Sequence, residues 1–335
     1  ILLPRECSAM SMIETARGPI KSSALGRTLI HEHVFLMNME YTVNYRPDFF
    51  TPATIEAAAA RLNGLRDVGI DSIIDLTVLG LGRHVPSLLA VAEKAEVNIV
   101  LSTGLYTFDA LPGPFQFHGP GLMCDSPEPL IDLFIRDITE GMGGTSVKAG
   151  MLKCAIDKPG LTPGVERVMR AVAQAHRATA TPITVHTAPQ QHTGIAVQRV
   201  LAEEGVNLAE VIIGHCGDTT DLDYLARLAD KGSMLGMDRF GLDFGVTTQD
   251  RVDTIAALVR RGYAAQLTLS HDCCICWSDY FPKMEDYARV MPNHQPRHIH
   301  DDVLPMLREA GVGEADIEAM FIANPRRVFE AAARR

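Results

Sequence analysis

Thr28-Leu29-Ile30-His31-Glu32-His33-Val34-Phe35 is an apolar run with two histidines, two positions apart, near its end. Side chains on a strand alternate faces, so His31 and His33 point the same way, separated by roughly 7 Å along a chain rising about 3.3 Å per residue. Both can reach one ion. A histidine pair standing alone is as compatible with core packing as with metal binding, so its meaning depends on the surrounding chain.

Seven further β-rich runs follow: Ser72 to Val78, Asn98 to Tyr106, Val147 to Ile156, Ile183 to Thr187, Val211 to Cys216, Met234 to Asp238 and Leu267 to Asp272. Helical patterns such as Pro52 to Asp67, Thr162 to Ala178 and Gln249 to Arg261 lie between them, the first with Thr51 as N-cap ahead of a proline. This alternation is the signature of repeated βα units on a parallel sheet, and eight strands predict an α/β fold, a single closed TIM barrel. Residues 13 to 27, with turn signals at Gly18-Pro19 and Gly26, predict a short N-terminal hairpin, and the chain from His298 onward predicts C-terminal helices. Asp109 to Glu128, rich in proline and glycine, predicts a long loop. No repeat or linker divides the chain. Residues 13–335 are therefore expected to form one hydrolase barrel domain, and residues 1–12 a disordered upstream stretch with Met10 or Met12 as candidate natural start.

Composition narrows the function. Hydrophobic residues make up 47% and charged residues 21% of the 335, which is far from the signature of disorder and predicts a packed interior. A net charge of -10 without any basic tract argues against nucleic acid as a partner. No apolar run approaches the roughly 20 residues that span a bilayer, and no secretory leader pattern opens the sequence, so a cytoplasmic location is expected with no membrane partner. Seven cysteines, at Cys7, Cys124, Cys154, Cys216, Cys273, Cys274 and Cys276, form no disulfide framework and are expected to be reduced.

Other strand ends carry polar residues too. Lys153 interrupts the apolar run Ala149 to Ala155, where an unpaired ammonium is expensive unless it has a partner, a depressed pKa or a covalent modification; snorkelling at the strand end is the alternative. His186 ends Pro182-Ile183-Thr184-Val185-His186, His215 ends Val211-Ile212-Ile213-Gly214-His215, and Asp272 closes Leu267 to Asp272. Each alone could be structural. Together, five strands deliver four histidines, a lysine and an aspartate to the face where TIM barrels keep their active sites.

These residues carry a resemblance. Gly18-Pro19-Ile20, His31-Glu32-His33-Val34, Lys153, Val185-His186-Thr187, Ile213-Gly214-His215, the segment Gly236 to Asp243 and Ser270-His271-Asp272 fall in the order of the phosphotriesterase branch of the amidohydrolases, and the chain looks most like the phosphotriesterase-like lactonases from about Thr15 to Phe329. The resemblance implies two divalent metals per chain, with zinc first in line and cobalt, iron or manganese also suited to the ligand set. His31, His33 and Asp272 would hold the more buried ion, His186 and His215 the more exposed one. Lys153, carboxylated by carbon dioxide to N6-carboxylysine, would bridge both. A shared hydroxide would attack the carbonyl or phosphoryl centre, with Asp272 taking its proton. Tyr106 is expected over the metals and Arg239 near the substrate, both catalytic and substrate-binding, while a buried structural tyrosine and an arginine in an ion pair are the plainer alternatives. A homodimer is also implied.

Substrate choice in such a barrel lies in the loops after the seventh and eighth strands. Gly241 to Thr248 and Cys273 to Met291 contain Leu242, Phe244, Ile275, Trp277, Tyr280, Phe281 and Met284, apolar surface enough to receive an acyl chain, with Cys273 and Trp277 as candidate substrate contacts. The short spacing from Asp272 to Trp277 and the short segment after Asp243 depart from the family pattern. The expected activity is opening of N-acyl-homoserine lactones, hence quorum quenching, or of other γ- and δ-lactones, with promiscuous phosphotriesterase activity. A dedicated organophosphate (aryldialkyl) phosphotriesterase and a non-catalytic binding protein on the same scaffold are the alternatives. A Schiff-base aldolase would not need the four histidines, Cys273 and Cys276 lack a second pair to complete a zinc site, and Leu79-Gly80-Leu81-Gly82-Arg83 lacks the third glycine of a nucleotide loop.

Overall fold

The computed structural model describes residues 11–46, 48–278, 281 and 283–333; Cys7, Met10 and Tyr280 lie outside the described residues. A parallel sheet runs β1 (Thr28–Leu36), β2 (Ser72–Asp75), β3 (Asn98–Gly104), β4 (Met151–Ala155), β5 (Ile183–His186), β6 (Val211–Ile213), β7 (Met234–Met237) and β8 (Leu267–Leu269), in chain order. All eight expected strands form. The run from Val147 is shorter than read, since the strand begins only at Met151.

A ninth segment, β9 (Cys273–Trp277), closes the ring. β8 pairs with β7, whereas β9, which starts after only three intervening residues, pairs in parallel with β1, placing Cys273 opposite Glu32 and Cys274 opposite His33. One continuous stretch thus changes partner in its middle, and the hinge is Asp272, at φ 57°. The sheet is thereby a TIM barrel whose eighth stave is split. Cys273 to Trp277, expected as loop, is strand because β1 extends to Leu36 and leaves its edge to be paired.

Two apolar cores result. Ile30, Ile74, Val100, Met151, Ile212 and Met234 fill the barrel interior, with Ile13, Leu25 and Phe329 stoppering its N-terminal end. The larger core lies between the strands and the helices. Met12–Ile13 pairs antiparallel with Ile20–Lys21, the expected hairpin, and Met12 is already in register with Lys21. Helices run Pro52–Arg66, Pro163–Thr179 and Thr248–Arg260, and Thr51, Thr162 and Thr247 each cap one by accepting a backbone N–H. The stretch Asp109 to Glu128 is less plain a loop than expected, holding a helical turn at Gly113–Phe117 and a paired bridge between His118–Gly119 and Cys124–Asp125. Helices dominate the chain after His298, and among the described residues none is long and apolar enough to cross a membrane. Cys124, Cys154, Cys216, Cys273, Cys274 and Cys276 are free thiols.

Candidate metal centre

β1, β4, the C-terminal ends of β5 and β6, and the hinge after β8 bring His31, His33, Lys153, His186, His215 and Asp272 around one cleft. The β1–β2 register slips between Leu29 and Glu32, and this irregularity lets Ile30 fill the barrel core while His31 and His33 still face the cleft. Asp272 Oδ1 lies 3.3 Å from His31 Nε2 and 3.2 Å from His33 Nε2. Lys153 Nζ is 3.0 Å from His31 Nε2. His186 Nδ1 and His215 Nε2 stand 2.7 Å apart.

The outward-facing ring nitrogens fix which atoms face inward. Asp238, at the end of β7, accepts from His31 Nδ1 at 2.8 Å through one oxygen and from His215 Nδ1 at 2.9 Å and the His215 backbone N–H at 2.8 Å through the other. Asp157 Oδ2 accepts a hydrogen bond from His186 Nε2–H at 2.5 Å. A carboxylate only accepts, so His31 and His215 carry their protons on Nδ1 and His186 on Nε2. Bare lone pairs of His31 Nε2, His215 Nε2 and His186 Nδ1 therefore face the cleft, and the 2.7 Å approach of the last two has no proton between them. A cation relieves that contact. Ligand atoms of His31, His215 and Asp272 also lie within 4.8 Å of one another. The donor set, nitrogen with carboxylate oxygen, suits a divalent transition ion, and each of the four histidines is backed by an oxygen of Asp238, Thr77 or Asp157, as metal-binding histidines require.

Electrostatics agree with this arrangement. Burial opposes ionisation of both Asp238 and Asp272. The facing histidines outweigh it for Asp238, and His31, His33 and Arg239 do so for Asp272, so both carboxyls stay well below the ordinary range. Burial lowers Lys153 to about 8, against the pull of Asp272 and Asp238. A hydrogen bond from His186 holds Asp157 near 2.

Arg239 Nε donates to Asp272 Oδ2 at 3.0 Å while its Nη1 donates to Asp218 Oδ2 at 2.8 Å. Asp218 Oδ1 in turn accepts from the buried Arg251 at 2.8 Å. Tyr106 lines the cleft with its hydroxyl 3.3 Å from His186 Nδ1. Of the loop residues, Leu242 and Trp277 line the cleft, Phe244 is exposed, Ile275 is buried in the outer core, and Phe281 and Met284 flank a separate groove beside Trp277.

Cys273 does not reach the cleft. Its register partner Glu32 points away from the site, and its sulfur packs toward His294 and Tyr287, whereas Cys274, beside His33, lines the cleft. The cleft-lining position expected of Cys273 is thus taken by Cys274, one residue along, as strand alternation requires. Asp238, Asp157, Asp218 and Glu32 join the site in the structure without being marked by the sequence pattern. Asp238 stood inside a quoted motif, but its role behind two rings has no sequence signal of its own.

His294 also borders the cleft, with Nδ1 2.6 Å from the Tyr287 hydroxyl and Nε2 donating to the His271 carbonyl at 2.9 Å. Burial lowers it to about 4. The unfolded chain takes up this proton near pH 6.5, so between pH 6.5 and 4 protons favour the unfolded state and stability falls with pH, by about 3 kcal/mol in all. Urea titrations at pH 7 and pH 4.5 should show that loss shrinking in His294→Gln; an equal acid loss in both proteins would refute it.

A parallel barrel with histidines, lysine and aspartate gathered at its C-terminal mouth defines a hydrolase of the amidohydrolase type. The chain belongs to the phosphotriesterase family, whose pattern it matches over residues 11–329. A phosphotriesterase homology protein of Mycobacterium tuberculosis is 50% identical over 323 residues, covering 96% of this chain and 98% of that protein. An aryldialkylphosphatase of Saccharolobus solfataricus is 36% identical, covering 92% of this chain and 96% of its own. The solved structure of the phosphotriesterase from Mycobacterium tuberculosis superposes with a TM-score of 0.91 at 48% identity, over 95% of this chain and 98% of that one.

Proposed function

We propose that the chain opens lactone rings, N-acyl-homoserine lactones or other γ- and δ-lactones, with side activity on phosphotriesters such as paraoxon. The observation that carries this reading is the mixed lining of the cleft: histidines, Lys153, Asp272, Tyr106 and Arg239 on the polar count, and Leu36, Leu81, Leu242 and Trp277 on the apolar one. A ring ester with an acyl tail has the same division. His31, His33 and Asp272 would hold one divalent ion, zinc first in line, and His186 and His215 a second, with Lys153 as a carbamate between them. Bound there, the ions would polarise the ester oxygen and acidify the attacking water.

The chain's own groups do the rest. Asp272, kept ionised by Arg239 and the histidines, accepts the water's proton at Oδ1 and returns it to the leaving alkoxide. Arg239 anchors Asp272 at Oδ2, so Oδ1 stays turned to the cleft. Tyr106, whose phenol burial pushes above its ordinary pKa, remains a neutral donor for the ring oxygen. Trp277 and Leu242 shield the acyl tail from water.

A dedicated aryldialkyl phosphotriesterase is the second reading, favoured by the relative of that name. Metal-loaded protein assayed on a lactone panel and on paraoxon separates them. Higher kcat/KM on lactones is expected; efficient paraoxon cleavage with lactones left intact would sink the first reading.

A further inference from the structure

We propose that Glu32, the middle residue of the histidine pair, is the positioning residue that sets Asp272. This rests on Asp272 serving as metal ligand and proton acceptor. Glu32 is 1% exposed and turns away from the cleft. Its Oε1 accepts from the Ser270 hydroxyl at 2.8 Å, the His271 backbone N–H at 3.0 Å and His271 Nδ1 at 2.8 Å. Oε2 accepts from the Cys273 backbone N–H at 2.9 Å. His271 Nε2 accepts from the Ile299 N–H at 3.1 Å, which leaves the ring proton on Nδ1, facing Glu32.

All four donors lie within two residues of Asp272, three before it and one after. That residue adopts φ 57°, a left-handed conformation that an L-residue holds only when its surroundings enforce it. Neither ladder enforces it, because β8 ends at Leu269 and β9 starts at Cys273. Two further hydrogen bonds, a main-chain one from Asp272 N–H to the His31 carbonyl at 3.0 Å and one from His31 N–H to the Ser270 hydroxyl oxygen at 2.9 Å, stitch the same hinge to β1. Glu32 thus grips both sides of the hinge with one carboxylate, and its chain neighbours His31 and His33 meet the side chain so aimed. Ligands and hinge are set by three consecutive residues.

Glu32→Gln keeps an acceptor for Ser270 and His271 but turns an amide N–H₂ toward the Cys273 N–H, releasing one side of the grip. The holoenzyme is expected to lose about 10–100-fold in kcat with KM changed less than about twofold, since a 1 Å error in a catalytic group acts on the chemical step. A readout free of substrate is the visible absorption of Co²⁺-loaded protein, which follows the ligand field that Asp272 helps to define. It should change in Glu32→Gln and, more weakly, in Ser270→Ala, which leaves the carboxylate itself in place. Glu210→Gln, a buried carboxylate paired with His176 at 2.9 Å far from the hinge, controls for lost stability and should leave the spectrum alone. A loaded wild type with an unchanged Glu32→Gln spectrum, or an equal change in Glu210→Gln, overturns this proposal alone. A wild type that takes up no cobalt overturns it together with the metal reading beneath it.

Discussion

Lys153→Ala is expected to lower turnover by roughly a thousandfold or more while leaving the fold intact, because under the proposed reading the change removes the group that would serve both ions. Lys153 is 1% exposed, with Nζ 3.0 Å from His31 Nε2. Metal analysis and steady-state kinetics on the same preparation check it; unchanged turnover would refute the bridging role. Stability of the metal-free protein should move far less. Burial takes the lysine to about 8. Since the unfolded chain titrates near 10.4, holding the ammonium folded below pH 8 costs about 3 kcal/mol, a penalty relieved as pH rises from 8 to 10.4. Alanine abolishes that penalty but forfeits the packing of the stem, a loss of similar size. Denaturant midpoints at pH 7 should therefore nearly coincide, and the wild-type protein alone should gain stability above pH 8.

Asp238→Asn is expected to weaken metal binding about 10–100-fold, the usual effect of losing an outer-shell partner, at the ion position served by whichever ring meets the amide nitrogen. One carboxylate orients His31 and His215 together, and an amide has only one accepting oxygen. Its N–H₂ must face one of the two Nδ1 atoms, which drives that ring to the other tautomer and puts a proton on the nitrogen meant to face the cleft. Competition against a chromogenic chelator measures the affinity; a variant with unaltered affinity for both ions would exclude the shared-orienter role.

The barrel and its mouth were legible because they follow local rules. Apolar runs ending in His186, His215 or Asp272 announce strand and site together, and Lys153 stands out through the expense of burying its charge. What escaped depends on long-range geometry. Asp238 and Asp157 work from behind the rings, bonding nitrogens that face away from the cleft, and nothing in their neighbours marks that duty. Glu32 was hidden by its position between two more conspicuous residues. The split stave was missed because a left-handed aspartate leaves no trace in an apolar pattern, and the misreading of Cys273 for Cys274 came from treating Cys273 to Met291 as loop, where alternation is not expected.

The split stave also bears on how the chain acquires its site. His31 and Ser270 lie 239 residues apart, so the seam joining the first strand to the last is among the least local contacts in the molecule. Closing so long a loop is entropically unfavourable until the intervening βα units have condensed, which delays this pairing relative to neighbouring strands. The aspartate sits on that seam. A chain emerging from the ribosome can present His31, His33, Lys153, His186 and His215 long before Asp272 reaches its hinge, and so completes its catalytic constellation only when the ring shuts.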